Sequence, residues 1–238
     1  MMLEINHFSK SFKGDKKVVE DLNLKVEAGD LYGFIGHNGA GKTTTIKAIV
    51  GILDFEEGEI KINNLSIKDN AVACKQMMAY IPDNPDLYEH LTGIQYINFI
   101  GDLFGVSQSQ RERLISQYAN EFEIMDRLGD LISSYSHGMK QKLAIISALI
   151  HKPKLLILDE PFVGLDPKAA HTLKEIMKDF CANGGSIFFS THVLEVAEKL
   201  CNKIAIIKAG RLMMSGETAT VKGTSSLEDV FLELVRNE

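Results

Sequence analysis

The stretch Gly36-His37-Asn38-Gly39-Ala40-Gly41-Lys42-Thr43 constrains this chain more than any other. It fits G-x-x-x-x-G-K-[ST], a glycine-rich loop whose backbone N–H groups can curl round phosphates because no Cβ stands in the way. Its flanks are what such a loop needs. Residues 30–35 form a short apolar run that reads as a buried strand, and residues 44–50 read as a helix that stops at Gly51. The helix N-terminus adds unpaired donors and the positive end of a dipole. Lys42 is expected to reach β- and γ-phosphate oxygens, and the Thr43 hydroxyl to ligate Mg²⁺.

The 238 residues are 45% hydrophobic and 24% charged, enough for a sizeable core in one large domain or in a domain with an inserted lobe. A net charge of −6 argues against nucleic acid as the main partner. Cys74, Cys181 and Cys201 are far apart and suit neither a disulfide framework nor a metal site, so they read as buried thiols in a reducing compartment. No apolar run approaches the roughly 20 residues that span a bilayer. The N-terminus lacks the basic-then-apolar order of a signal peptide. A cytoplasmic chain is expected, with any membrane association made through a partner.

The remaining pattern is α/β. Residues 3–8 and 18–26 alternate apolar and polar, as half-buried strands do, with a polar turn at 11–17 between them. They predict an antiparallel edge leading into the strand before the glycine loop. Residues 56–64 read as turn, strand and turn, residues 71–77 as a helix, and residues 78–81 as a strand stopped by Pro82. From 91 to 150 the period turns helical. Thr92 is a plausible N-cap for a helix with Ile97, Ile100, Leu103 and Phe104 on one face. A second helix over 109–122 carries Leu114, Ile115, Tyr118 and Phe122, and a third from about Gly138 carries Leu143, Ile146, Leu149 and Ile150. Residues 86–152 thus read as a helical lobe inserted between two halves, 1–85 and 153–238, of one domain spanning 1–238. The α/β order then resumes. It gives a strand at 155–159, a helix from Pro167 to about Cys181, a strand at 186–190, a helix at 193–200 and a strand at 204–208. A hairpin turn at 209–211 follows, and an amphipathic helix at 226–236 ends the chain.

Downstream of the loop, Leu155-Leu156-Ile157-Leu158-Asp159-Glu160 is an apolar run ending in two acids. A central parallel strand would hold Asp159 at its carboxyl edge, where ligands bind in open α/β sheets. Asp159 is expected to hold Mg²⁺, directly or through water. Glu160 is expected near the γ-phosphate, where it can polarise an attacking water.

With these motifs in this order, the chain resembles the nucleotide-binding subunits of ATP-binding cassette (ABC) transporters over essentially its whole length. The resemblance implies a P-loop NTPase of RecA-like type: a mostly parallel core, an N-terminal antiparallel β edge and an inserted helical subdomain. Residues 36–43 are similar to Walker A and residues 155–160 to Walker B with its catalytic glutamate. Tyr135-Ser136-His137-Gly138-Met139-Lys140-Gln141 stands at the place of the family signature, Gly164-Leu165-Asp166-Pro167 at the D-loop, and Ser190-Thr191-His192 at the switch histidine. It follows that ATP would be held by Gly36, His37, Asn38, Gly39, Ala40, Gly41, Lys42, Thr43 and Thr44. Phe12 would stack on adenine, a contact of roughly 1–3 kcal/mol by analogy with base stacking. His192 would contact the γ-phosphate and hold the water and Glu160, while Lys42 stabilises charge. Two copies, or this chain and a homologous cassette, would sandwich ATP, each site completed by Ser136 and Gly138 of the other chain, with Asp166 at the dimer contact.

Two departures accompany the resemblance. Tyr135, His137 and Met139 replace three positions of the usual Leu-Ser-Gly-Gly-Gln signature, while Ser136 and Gly138, which carry its mechanism, remain. That variant, and the ending Ser226-Leu227-Glu228-Asp229-Val230-Phe231, resemble the ABC-2-type and Ecs-like exporter subgroup. Asp83 stands after Tyr80-Ile81-Pro82 where the family has Gln or Glu. It is expected to approach Mg²⁺ through water or to stay withdrawn. Residues 83–90 are expected at the surface, with Leu87 and Tyr88 partly exposed in a groove for the membrane-spanning subunit. The whole implies an ATPase at the cytoplasmic face of the membrane. The alternative is a soluble cassette ATPase acting without a membrane partner. The acidic balance and the lack of a coiled-coil insertion weigh against DNA or translation work, and Glu160 weighs against a switch that binds nucleotide without hydrolysing it.

Overall fold

The structure is a computed structural model that describes residues 1–12 and 17–236, so residues 13–16 of the expected polar turn lie outside it. The alternating N-terminal segments form β1 (Leu3–Ser11) and β2 (Lys17–Val26), followed by the fully buried β3 (Leu31–Ile35) and the loop helix α1 (Lys42–Ile49). β4 (Glu57–Ile62), the short β5 (Leu65–Ser66), α2 (Ala71–Met77) and β6 (Met78–Ile81) come next. The chain then leaves the sheets for α3 (Gly93–Leu103), α4 (Gln108–Glu121) and α5 (His137–Leu149). It returns as β7 (Leu155–Asp159), α6 (Pro167–Ala182), β8 (Ser186–Thr191), α7 (Leu194–Leu200) and β9 (Lys203–Lys208). β10 (Arg211–Glu217), α8 (Thr218–Lys222) and α9 (Leu227–Arg236) close the order.

Two sheets result. One is antiparallel with order β2-β1-β4-β5, and the other has six strands in the order β10-β9-β3-β8-β7-β6. In the second sheet β6, β7, β8, β3 and β9 run parallel, and only β10 is antiparallel, on a hairpin from β9. Every residue of β3, β7 and β8 is buried, as continuous apolar runs covered on both faces require. Side chains alternate between two cores. Tyr32, Phe34, Ile157, Phe188 and Ile207 meet α1 and the antiparallel sheet, and Phe34 and Phe188 lie with ring centroids 5.2 Å apart. Ile35, Leu156, Leu158, Ile187, Phe189 and Ile206 join the core shared with α3, α4 and α5.

Register fixes what stands at the carboxyl edge of this sheet. Ile35 pairs with Thr191 and Asp159 with Ser190, so the loop after β3, the acids ending β7 and the histidine after β8 come to one edge. Local signals explain the helix starts. Thr92 caps α3 through a reciprocal box, in which its hydroxyl accepts the Gln95 N–H and the Gln95 amide oxygen accepts the Thr92 N–H. Asp166 caps α6 with Pro167 in the first turn. Tyr135 has a structural reason too. Its hydroxyl donates to the Arg127 carbonyl at 2.6 Å, and a Cβ on Gly93 would sit 2.4 Å from the Tyr135 hydroxyl oxygen. The phenol of the variant signature therefore depends on the glycine that opens α3.

Three expectations need correction. Leu103 is 69% exposed rather than inward. At about 100° per residue it lies roughly 120° off the line through Ile97, whereas Phe104 returns to that line. Phe104 accordingly turns in and stacks on His151, with centroids 3.8 Å apart. Leu87 is only 7% exposed and packs in the helical core, leaving Tyr88, at 50%, as the apolar surface residue of 83–90. Finally, Cys74 and Cys201 are buried but Cys181, in the last turn of α6, is only partly so, its thiol donating to the Asp30 carbonyl at 3.4 Å. Burial pushes the Cys181 thiol up to about 12.

Candidate nucleotide site

The loop between β3 and α1 takes its shape from its glycines. Gly39 and Gly41 hold φ of +81° and +107°, and Gly41 is the residue before the helix. A Cβ on Gly36 would lie 2.5 Å from the Ile207 carbonyl of the neighbouring strand. His37, Asn38 and Gly39 form the exposed rim, and Ala40 is tucked beneath. Lys42 is 6% exposed, and its ammonium donates to the carbonyls of Gly36 at 2.6 Å and His37 at 3.3 Å. Its charge is thereby brought to the mouth of the loop, with Thr43 and Thr44 following on the helix.

The two acids sit differently. Asp159 is buried, with one oxygen accepting the Ser190 hydroxyl at 2.5 Å, while the other has no partner. The same hydroxyl oxygen accepts the Glu160 N–H at 3.0 Å. Glu160 itself holds φ of +48°, a strained conformation for a side chain other than glycine, costing on the order of 1–3 kcal/mol. The turn aims its carboxylate between an imidazole and an ammonium. Oε1 lies 3.0 Å from His192 Nδ1 and 3.6 Å from Lys42 Nζ, though neither makes an aligned hydrogen bond with it. Thr191 supports the histidine turn by accepting the Val193 N–H at 3.0 Å.

These groups enclose an open cavity of about 350 Å³ bounded by Val18, His37, Asn38, Gly39, Gly41, Lys42, Thr43, Thr44, Asp83, Asp159 and Glu160. Asp83 lies on its wall, and one of its oxygens accepts the Asn84 N–H at 2.9 Å. Burial first, and then the negative charges of Asp159 and Asp83, hold the Tyr80 phenol well above its usual range, so one ring feels both acids. The donors suit a small hard cation. They are oxygens only, and the orphaned Asp159 oxygen is a buried carboxylate valence that a cation would satisfy. No cluster of three or more acidic, histidine or cysteine ligands exists among the described residues. Mg²⁺ would therefore arrive with phosphate oxygens rather than in a protein cage.

Not every expected residue lines this cavity. Phe12 is 52% exposed at the end of β1, with the Lys10 ammonium 5.9 Å from its ring centre. Ser136 caps α5, its hydroxyl accepting the Met139 N–H at 3.3 Å, and Gly138 packs so tightly that a Cβ would sit 2.6 Å from the Gly164 carbonyl. Neither borders the cavity of its own chain. Asp166, besides its capping bond, pairs with Lys142 at 3.0 Å, and the capping N–H first and Lys142 second hold its carboxyl below the usual range. Ser190 was named only as part of the switch-histidine stretch and Val18 only as a strand residue, so neither was expected to contact the site. The one available signal was a hydroxyl at the end of an apolar strand. A larger cavity, about 780 Å³, opens beside Tyr118, Lys154 and Phe180, but its charges are of both signs and none of the unpartnered buried polar atoms lines it.

A glycine loop on a parallel sheet, a buried lysine and two acids at the facing strand end define a P-loop nucleoside-triphosphatase. The chain matches the family model described as ABC transporter over residues 19–163. It is 33% identical over 226 residues to the ABC-type transporter ATP-binding protein EcsA of Bacillus subtilis (strain 168), covering 93% of this chain and 92% of that one. It is 34% identical over 216 residues to Nod factor export ATP-binding protein I of Cupriavidus pinatubonensis, covering 91% of this chain and 66% of that one. A solved structure of an ATP-binding subunit of an ABC transporter superimposes with a TM-score of 0.94 at 36% identity, over 99% of this chain and 100% of that one. The chain belongs to the ABC transporter family, as an ATP-binding and ATP-hydrolysing subunit. Among the described residues no helix is long and apolar enough to cross a membrane.

Proposed function

We propose that this chain hydrolyses Mg-ATP between two cassettes at the cytoplasmic face of a membrane and drives a separate membrane-spanning exporter. One observation carries the proposal: Lys42, Asp159 and Glu160 converge on one cavity, while Ser136 and Gly138 stand outside it on a capped helix. The site of a single chain thus has the phosphate cradle but not the signature, and a second copy or a homologous cassette supplies it. The α5 N-terminus there presents its positive dipole end and the Ser136 hydroxyl to the γ-phosphate of the facing chain. Residues 86–152 form the inserted lobe that carries this face, within one domain spanning 1–238.

The loop N–H groups and Lys42 bind the β- and γ-phosphates. Thr43 and the free oxygen of Asp159 would hold Mg²⁺, with Asp83 reaching it only through water or staying withdrawn until ATP and the ion are both bound. Once bound, the ion neutralises charge on the phosphate oxygens. Glu160 orients the attacking water and draws its proton toward a carboxylate oxygen. His192 Nδ1 keeps that carboxylate turned toward the γ-phosphate, and Lys42 with the backbone donors stabilises the charge spread over the transferred group. Phe12 offers a ring face to adenine.

Asp83 makes a prediction of its own. Like charges about 4–6 Å apart at an effective dielectric near 20 repel by roughly 3–4 kcal/mol before a cation offsets them. Asp83 adds such a charge to the wall of the cavity that Asp159 also lines. Asp83→Gln should stay active and need less free Mg²⁺ for half-maximal turnover. ATPase rate against free Mg²⁺ is the measurement, and superimposable curves would leave Asp83 a turn residue only.

The membrane partner is expected in the groove of about 370 Å³ bounded by Ile52, Tyr80, Pro85, Leu87, Phe104 and His151. Tyr88 stands beside it, packed edge-on against Tyr96 and exposed together with Phe99. Such apolar exposure on the membrane-facing lobe suits a cytoplasmic segment of the exporter subunit. Tyr88→Glu should leave ATP affinity unchanged and abolish recovery of a polytopic protein when the tagged chain is purified from solubilised native membranes. Recovery of the same protein with both forms would place the docking surface elsewhere, and recovery of no membrane protein with either would favour the soluble cassette.

A further inference from the structure

The C-terminal helix touches the phosphate loop. On α9, Leu227 is fully buried and Phe231 nearly so. The Phe231 ring and the imidazole of His37 meet edge to face, with centroids 4.8 Å apart and planes at 71°. His37 is the second residue of the loop, and its carbonyl accepts both the Ala40 N–H at 3.1 Å and the Lys42 ammonium at 3.3 Å. The same helix is tied to the opposite side of the site. The Leu227 N–H donates to Glu198 of α7 at 2.9 Å, and the other Glu198 oxygen accepts Lys222 of α8 at 2.9 Å. Helix α7 opens at Leu194, directly after the turn that carries His192. Near the far end of α9, Lys208 at the end of β9 donates to the Leu234 carbonyl at 3.1 Å.

We propose that α9 braces the nucleotide site, with Phe231 as a positioning residue that holds His37 and so presets the phosphate loop for ATP. The proposal rests on the phosphate-loop assignment above. His37, Asn38 and Gly39 are exposed, and at Gly39 even an added Cβ would touch nothing within 4 Å, so the rim of the loop has little packing of its own. The Phe231 ring supplies packing at its first exposed residue, and the carbonyl of that residue carries the lysine. A loop held in its binding shape loses less freedom when ATP arrives, which appears as affinity and not as chemistry. Because α9 also holds α7, the loop and the histidine turn share one support.

Aromatic pairs of this geometry suggest an effect of roughly two- to tenfold on affinity. Phe231→Leu keeps an apolar group in the core and removes the ring, and His37→Ala removes its partner from the loop side without opening the core. The test measures the Mg-ATP dissociation constant by calorimetry, KM and kcat, on the full chain. Phe231→Leu should raise Kd and KM two- to tenfold with kcat within about twofold, His37→Ala should raise Kd in the same range, and the double variant should bind no worse than the weaker single. Additive effects would overturn the proposal. So would a Phe231→Leu protein that melts earlier yet binds Mg-ATP as the parent does, because that is a core residue and nothing more. Lys42→Ala, run beside them, separates the two levels: if it binds like the parent, the phosphate-loop assignment itself fails.

Discussion

Glu160→Gln should bind Mg-ATP as tightly as the parent and turn it over roughly 10²–10⁴-fold more slowly, the range for losing a positioned general base. The amide is isosteric, so the turn at φ +48° and its bond from the Glu160 N–H to Ser190 are kept. What goes is the charge. Glu160 Oε1 lies 3.0 Å from His192 Nδ1 and 3.6 Å from Lys42 Nζ, and only a carboxylate there can both align with the imidazole and draw a proton from water. Binding is spared because the phosphates are held by the loop and Lys42, and because one negative charge fewer faces the triphosphate. The uncleaved nucleotide then keeps two cassettes together, so a sizing column should show a larger species with Mg-ATP and the smaller one with Mg-ADP. Wild-type turnover in this variant would mean that another group orients the water.

Much of this site was legible in the sequence because its parts lie at element ends. The glycine loop is bounded by an apolar strand and a helix, and the acids end another apolar strand. Parallel pairing then brings such ends to one edge without further information, as the Ile35–Thr191 and Asp159–Ser190 registers show. Contacts between elements distant in sequence were not legible. Ser190 joins Asp159 to Glu160 across 31 and 30 residues, and no pattern within one strand announces it. The ending Leu227-Glu228-Asp229-Val230-Phe231 could be read as an amphipathic helix, but not as a helix that reaches His37. Leu87 was expected at the surface because the resemblance places residues 83–90 in a groove for the membrane-spanning subunit, yet the helical core claimed it. Leu103 was a neighbouring apolar residue mistaken for part of the stripe that Phe104 completes. The antiparallel β10 has an almost wholly exposed or half-exposed pattern, so no buried period marked it.

Lys42→Ala should cost the largest share of ATP affinity while leaving the fold in place. The lysine is held at 6% exposure with its ammonium on two loop carbonyls, so its charge is delivered to the phosphates without an entropy cost at the moment of binding. Removing one partner of a poorly solvated charge pair costs about 3–5 kcal/mol, or roughly two to four powers of ten in Kd. Helix α1 should survive, because alanine has a better helix propensity than lysine at its first residue. The carbonyls of Gly36 and His37 lose a donor, at about 1 kcal/mol each, so a lower melting temperature with native circular dichroism is expected. Calorimetry with Mg-ATP reads the affinity, and an unchanged value would sink the phosphate-loop assignment. Lys42→Arg sharpens the test. A guanidinium is planar and broader, and cannot sit in a slot shaped for a compact ammonium between two carbonyls and Glu160. Arginine should therefore restore little of the affinity, whereas a lysine acting only as a diffuse surface charge would be replaced by it almost fully.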